Sequence, residues 1–211
     1  VHGINIAARE VSGDFFSFYP HNESVYFIIA DVAGKGIHAG MVMAKASTLF
    51  EVMSKDKVDP DEMMFHMNND LFQTKTAGMF VTCILGEYDL VSDEIRWVNA
   101  GHQPALIRST DGKYSEFISS STPLGVIKHK DKSVYKLEKA KLASSRFYVF
   151  TDGLSESLDS KGEEIGIDGS IKIIEDNFRA TGLFNPLKKD AFVQKPDIAH
   201  LKPRFEDWRL I

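Results

Sequence analysis

Residues 28–43, Ile-Ile-Ala-Asp-Val-Ala-Gly-Lys-Gly-Ile-His-Ala-Gly-Met-Val-Met, contain the pattern that decides the fold. An apolar run leads into Asp31, Gly34 and Gly36 follow, and apolar residues then recur at helical spacing. This pattern predicts a strand, a tight turn and a helix, with a carboxylate where the strand ends. A charged group at a buried strand end needs a cation or hydrogen-bond partners. Asp31 is therefore either a metal ligand or the cap of the following helix, and on this stretch alone the cap is the commoner case.

The composition of the 211 residues is that of an ordinary globular protein, with 43% hydrophobic and 26% charged residues. No apolar run reaches the roughly 18 residues that span a bilayer, and the first residues lack the features of a signal peptide. The net charge of −5 argues against nucleic acid and against an anionic membrane surface as the main partner. Cys83 is the single cysteine and lies in an apolar run, so we expect a buried thiol, no internal disulfide and a cytoplasmic protein.

The chain has no internal repeat and no convincing linker, which predicts one domain over residues 1–211. It begins without methionine, directly on a strand-like alternation. We therefore expect a fragment of a longer protein in which a sensor or receiver domain precedes this chain.

The remaining sequence predicts short strands and a few helices. A hairpin turn at 20–23 makes the strands on either side antiparallel neighbours, which places Asp14 and Asp31 at the same end. Residues 79–118 predict an antiparallel meander of four strands, and further strands are expected at 133–137 and 146–150. The predicted helices cover 36–54, 60–74 (capped by Asp59 and Pro60) and 167–178.

Three carboxylates share one setting, an apolar strand end with a glycine beside it: Asp14, Asp31 and Asp152. An acidic pair, Glu206 and Asp207, lies close to the end of the chain. Carboxylates that meet at one sheet edge repel each other unless cations lie between them, and oxygen ligands select Mg²⁺ or Mn²⁺. Two such ions can activate water for attack on a phosphoryl group. With no P-loop and no Gly-x-Ser-x-Gly motif, activated water is the nucleophile that this sequence most readily supplies.

Five motifs occur together in a recognisable order. They are Val-Ser-Gly-Asp-Phe-Phe (11–16), Ala-Asp-Val-Ala-Gly-Lys-Gly (30–36), Val-Asn-Ala-Gly-His-Gln-Pro-Ala-Leu (98–106), Pro-Leu-Gly-Val (123–126) and Phe-Thr-Asp-Gly-Leu-Ser-Glu (150–156). In this order and spacing, they resemble the SpoIIE-type branch of the bacterial metal-dependent (2C-type, PPM) Ser/Thr protein phosphatases. The similarity runs from about Ile4 to Phe178, with a weaker echo in the last seven residues.

The resemblance implies an α+β fold, a four-layer α-β-β-α sandwich of two antiparallel sheets flanked by helices. It also implies two Mn²⁺ or Mg²⁺ ions at one end of the sandwich. The catalytic residues that it implies are Asp14, Asp31 and Asp152. The implied metal ligands are Asp31 (bridging both ions), the backbone carbonyl of Val32, Asp152, and either Glu206 or Asp207. By the same resemblance, Asn99, Gly101 and His102 form a structural hairpin.

The family implies hydrolysis of phosphoserine or phosphothreonine on a protein, an anti-sigma-factor antagonist in a partner-switching pathway. A homodimer is one assembly that is compatible with the sequence. Ser17 stands where the family usually has a second acidic residue, and the final acidic motif also differs. An alternative is therefore a catalytically weak or inactive regulatory binding module with the same fold. An unrelated Mg²⁺ hydrolase of small phosphates is a third hypothesis.

Overall fold

A computed structural model describes residues 4–5, 13–21, 23–34, 36–74, 78–181 and 209–210. The chain divides into two compact units, Glu10–Thr151 and Val1–Arg9 together with Asp152–Ile211. We call them the sandwich unit and the terminal unit, and each is described by itself. The single domain over residues 1–211 stays a prediction.

The described residues form ten strands and four α-helices. In chain order they are β1 (Ile4–Asn5), β2 (Phe15–His21), β3 (Ser24–Val32), α1 (Ile37–Lys55), α2 (Pro60–Gln73), β4 (Val81–Asp89), β5 (Glu94–Ala100), β6 (Ala105–Arg108), β7 (Tyr114–Phe117), β8 (Glu138–Lys141), β9 (Arg146–Tyr148), α3 (Asp152–Ser155), α4 (Gly166–Thr181) and β10 (Arg209–Leu210). In the part of the chain that the structure describes, no helix combines the length and apolar character needed to cross a membrane.

The sandwich unit contains two antiparallel sheets, a five-stranded sheet in the order β2-β3-β4-β5-β8 and a three-stranded sheet in the order β7-β6-β9. The predicted β2–β3 hairpin is confirmed, since Phe15 pairs with Ala30 and His21 pairs with Ser24. The turn is shorter than predicted, and Pro20 stays within β2. An edge strand tolerates a proline because one row of its N–H groups has no neighbouring strand to bond.

Strand β3 separates two apolar layers. Its residues Ile28, Ala30 and Val32 belong to the core that α1 and α2 cover, together with the buried methionines of α2, Met63, Met64 and Met67. Because side chains alternate along a strand, Phe27, Ile29 and Asp31 lie on the opposite face. The expected packing of the methionine-rich helices on a sheet is therefore confirmed for α2.

The opposite face of the large sheet packs on the small sheet through aromatic rings. The Trp97 ring centroid lies 5.1 Å from that of Phe117 and 5.1 Å from that of Phe147, and Phe27 lies 5.6 Å from Phe147. Gly86 lies between Phe27 and Trp97 in the strand register. A Cβ atom on Gly86 would come within 2.6 Å of the Phe27 ring and 2.3 Å of the Arg96 carbonyl oxygen, so only glycine fits.

The predicted four-strand meander is wrong at its centre. Strand β5 pairs with β4 and β8, whereas β6 pairs with β7 and β9, so the chain passes from one sheet to the other after Ala100. Gly101 has a φ of +70°, the left-handed conformation that favours glycine, and Pro123 packs tightly against it. The pairing of β5 with β4 ends at Ala100 and Cys83. Further along the same edge of β4, Val81 pairs with Leu124 instead.

Two local predictions also need correction. Residues 133–137 do not form a strand, because the Asp131 carboxylate accepts a hydrogen bond from the Ser133 N–H (2.7 Å) and starts a short 3₁₀ turn. Asp59 occupies the N-cap position of α2, but its side chain makes no capping hydrogen bond. It pairs with Arg96 at 3.0 Å instead, which ties α2 to β5.

The segment that crosses between the sheets buries His102. The His102 N–H donates to the Asn99 side-chain oxygen (2.9 Å), and the Asn99 amide donates to the Gln103 carbonyl (3.0 Å). Burial lowers the pKa of His102 to about 4, although Asp31 and the Phe150 backbone favour its protonated form. The imidazole is therefore neutral at neutral pH. The predicted structural role of Asn99 and Gly101 agrees with these contacts.

The terminal unit contains a two-stranded sheet, in which Ile4 of β1 pairs with Leu210 of β10. Helix α4 confirms the predicted helix at 167–178. The short helix α3 was not predicted, and it begins at Asp152.

We expect the substitution Gly86→Ala to lower the free energy of unfolding by about 1–3 kcal/mol, because the added methyl group overpacks the space between the sheets. Urea unfolding of the two proteins measures this difference. A change of less than about 0.5 kcal/mol, which is usual for surface substitutions, would contradict the packing described.

The stability of the protein should fall as the pH drops from about 6.5 to 4, because the unfolded state protonates His102 and the native state does not. The pKa of His102 is lower in the folded state than in the unfolded state, so neutral His102 makes its full contribution to the free energy of unfolding above about pH 6.5. The shift corresponds to a loss of about 3 kcal/mol. Urea unfolding at several pH values should show a shallower decline for His102→Asn than for the unmodified protein.

Candidate metal centre

Asp31 lies near the end of β3, on the face that points toward the small sheet. Helix α1 begins at Ile37, and its N-cap residue is Gly36, which has a φ of +82°. Asp31 is thus too far along the chain to cap this helix, and the helix-cap interpretation is wrong. The second predicted role of Asp31, that of a metal ligand, stays a prediction.

Three oxygen atoms converge beside Gly13. A Cβ atom on Gly13 would lie 2.8 Å from the Val32 carbonyl oxygen, and 3.6 Å from both Asp31 Oδ1 and the Gly34 carbonyl oxygen. The Ala33 N–H donates to the Phe80 carbonyl (2.9 Å), which holds the turn in place. The absent side chain of Gly13 therefore leaves room for an oxygen-lined corner. This corner contains two predicted metal ligands, Asp31 and the carbonyl of Val32.

Asp14 reaches the same end of the sheet. Phe15 pairs with Ala30, and extending this register by one pair brings Asp14 opposite Asp31. Asp14 is buried, with 5% of its surface exposed. The prediction that the two aspartates lie at the same end of neighbouring strands is confirmed.

Burial raises the pKa of Asp31 above its ordinary value, and the nearby His102 opposes this shift only in part. Because His102 is itself neutral near pH 7, it does not supply the positive charge that an ionised Asp31 needs. A divalent cation would supply that charge. Carboxylate and carbonyl oxygens are the donors that Mg²⁺ and Mn²⁺ prefer, so the residues at this corner fit such an ion.

The structure does not place the remaining predicted ligands at this corner. Asp152 belongs to the terminal unit, and Glu206 and Asp207 lie outside the described residues. Considering described residues alone, no group of three or more His, Cys, Asp or Glu side chains could hold a metal ion. The structure therefore brings together Asp14, Asp31 and Val32, and the roles of Asp152, Glu206 and Asp207 stay predictions.

Sequence reasoning missed one polar residue next to Asp31 on the neighbouring strand. Thr82 is the β4 partner of Asp31, and its hydroxyl lies 2.9 Å from His102 Nδ1. Threonine is common in strands, so nothing in the apolar run around it pointed to a special role. Cys83, next in the chain, is fully buried, and its pKa is raised by burial, which confirms the prediction of a buried thiol.

Several known proteins are similar to this chain. The phosphoserine phosphatase RsbU of Bacillus subtilis is 26% identical over 165 residues, which cover 77% of this chain and 48% of RsbU. The chain spans about half or less of the length of the curated relatives that it matches.

Solved structures share the fold. The SiaA-PP2C domain of Pseudomonas aeruginosa has a TM-score of 0.71 at 16% identity, covering 83% of this chain and 70% of that one. RsbX, solved in complex with magnesium, has a TM-score of 0.61 at 17% identity, covering 83% of this chain and 84% of RsbX. The predicted fold class, two antiparallel sheets with helices as in 2C-type phosphatases, is confirmed.

The sequence model of one family, described as stage II sporulation protein E (SpoIIE), matches residues 21–190. This match includes four of the five motifs in full, beginning with the one that carries Asp31. Because it extends over most of the sequence, the chain belongs to the SpoIIE family.

Proposed function

We propose that this chain is the catalytic domain of a Mn²⁺- or Mg²⁺-dependent Ser/Thr protein phosphatase. The observation that carries the proposal is the oxygen-lined corner, where the Asp31 carboxylate and the carbonyls of Val32 and Gly34 converge beside Gly13. A partly buried carboxylate next to a neutral histidine favours the binding of a cation.

Each of the predicted site residues has a distinct task in this proposal. Asp31 and the Val32 carbonyl would hold the first ion, and Asp31 would also face the second. Asp152 and either Glu206 or Asp207 would complete the second site, and Asp14 would assist. The bound ions would activate a water molecule and neutralise the charge that develops on the phosphoryl oxygens.

The proposed substrate is a phosphoserine or phosphothreonine on a protein. RsbU is named a phosphoserine phosphatase, and its similarity to this chain covers 77% of this chain. The family resemblance extends the proposal to an anti-sigma-factor antagonist in a cytoplasmic partner-switching pathway. The net charge of −5 suits a substrate whose phosphate is bound through metal ions rather than through a basic surface.

We expect Asp31→Asn to reduce Mn²⁺-dependent release of phosphate from a phosphoserine peptide by at least about 100-fold, since loss of outer partners alone costs about 10–100-fold. In EDTA at pH 7 the same variant should unfold at a higher temperature than the unmodified protein. Burial raises the pKa of Asp31, so its ionised form costs stability above that pKa, and the amide removes this cost.

Asp56→Asn is the matched control, because Asp56 is an exposed residue after the end of α1 and should change neither measurement. Equal activity of the Asp31→Asn variant and the unmodified protein would contradict the proposal. Mn²⁺ binding without any phosphate release would favour the alternative, a regulatory binding module.

Gly13→Ala should weaken Mn²⁺ binding by about 10-fold or more, because its methyl group would press on the Val32 carbonyl and occupy the corner. Calorimetric titration with Mn²⁺ measures this affinity. Asp56→Asn, at the exposed residue after the end of α1, should leave the affinity unchanged. Unaltered binding by the Gly13→Ala variant would show that the ion does not occupy this corner.

A further inference from the structure

Asp31 has a hydroxyl-bearing neighbour on the adjacent strand. Asp31 and Thr82 are direct partners in the β3–β4 register, so their side chains emerge on the same face of the sheet. Residues in such pairs have Cβ atoms about 4.5–5.5 Å apart. Thr82 is therefore the residue of β4 that lies beside Asp31 on this face.

The Thr82 rotamer is set by His102. The Thr82 hydroxyl and His102 Nδ1 are 2.9 Å apart, within hydrogen-bond distance. His102 itself cannot shift easily, because its backbone N–H is bound by Asn99. The N–H of the preceding residue, Gly101, donates to the Ser119 hydroxyl at 2.7 Å.

The charge of His102 decides what kind of effect it can have on Asp31. The two groups interact electrostatically, and a protonated imidazole would stabilise the ionised carboxylate. Burial lowers the pKa of His102 to about 4, so at neutral pH the ring carries no charge to offer. At neutral pH, the contact that links the ring to the neighbourhood of Asp31 is the one with the Thr82 hydroxyl.

We propose that Thr82 and His102 are positioning residues that hold the Asp31 carboxylate in the orientation required to bind a divalent cation. This inference rests on the proposed function, since it concerns the same corner. Neither residue needs to touch the substrate. The proposal gives His102, the histidine of the 98–106 motif, a role in the site although no reaction step requires it.

The test compares Thr82→Val, which removes the hydroxyl at nearly constant volume, with Thr82→Ser, which keeps it. Mn²⁺ binding to the 211-residue chain is measured by calorimetric titration, and thermal unfolding is measured in EDTA. We expect Thr82→Val to lose about 10-fold in Mn²⁺ affinity, in the range found for partners of metal ligands, and Thr82→Ser to retain most of it. Thr82→Ala repeats the measurement should valine prevent folding.

Ser54→Ala is the matched control for a general loss of stability. Ser54 is fully buried in α1 and donates its hydroxyl to the Phe50 carbonyl at 2.8 Å, so its loss should lower the unfolding temperature without changing Mn²⁺ affinity. Equal Mn²⁺ affinity of Thr82→Val and the unmodified protein would overturn this inference alone, as would an equal loss in Thr82→Ser or in Ser54→Ala. Absence of Mn²⁺ binding by the unmodified protein would overturn the proposed function as well.

Discussion

Burial of one carboxylate, that of Asp31, is the constraint on which the arrangement of this protein depends. The strand that carries Asp31 is apolar on both faces, so its end is a costly place for a negative charge. Around it the fold supplies backbone carbonyls, a glycine without a side chain and a neutral histidine. None of these described groups carries a positive charge at neutral pH, and all are compatible with a hard cation. The corner is thus arranged around a charge that the described neighbours of Asp31 do not balance.

Much of the architecture around this corner could be predicted from local patterns. The apolar run before Asp31 and the glycines after it favour a strand and a turn, and the methionines of α2 recur at helical spacing. The same patterns could not show that β5 and β6 belong to different sheets. A short turn between two strands is typical of a hairpin, and only the packing of Gly101 against Pro123 and the pairing of Leu124 with Val81 redirect the chain.

Some residues of the candidate site could also be predicted from the sequence, and others could not. Asp14 and Asp31 could be predicted because a carboxylate at a strand end is unusual enough to stand out in a sequence, whereas the Val32 carbonyl was implied only by the family resemblance. Thr82 could not, because threonine is an ordinary strand residue and its contact with His102 joins residues 20 positions apart. The direct ligands of an ion are recognised by residue type, whereas the residues that orient them are recognised only by their contacts in three dimensions.

The uninterrupted pairing of β3 has a consequence for how this domain can vary among related proteins. Every residue from Ser24 to Val32 is matched to a partner on β4, and those up to Ala30 are matched on β2 as well. Inserting or deleting a single amino acid inside this strand would turn Asp31 toward the helices and bring an apolar side chain to the corner. Length differences between homologues should therefore collect in the connections between β2 and β3 and between β4 and β5, and spare the strand itself.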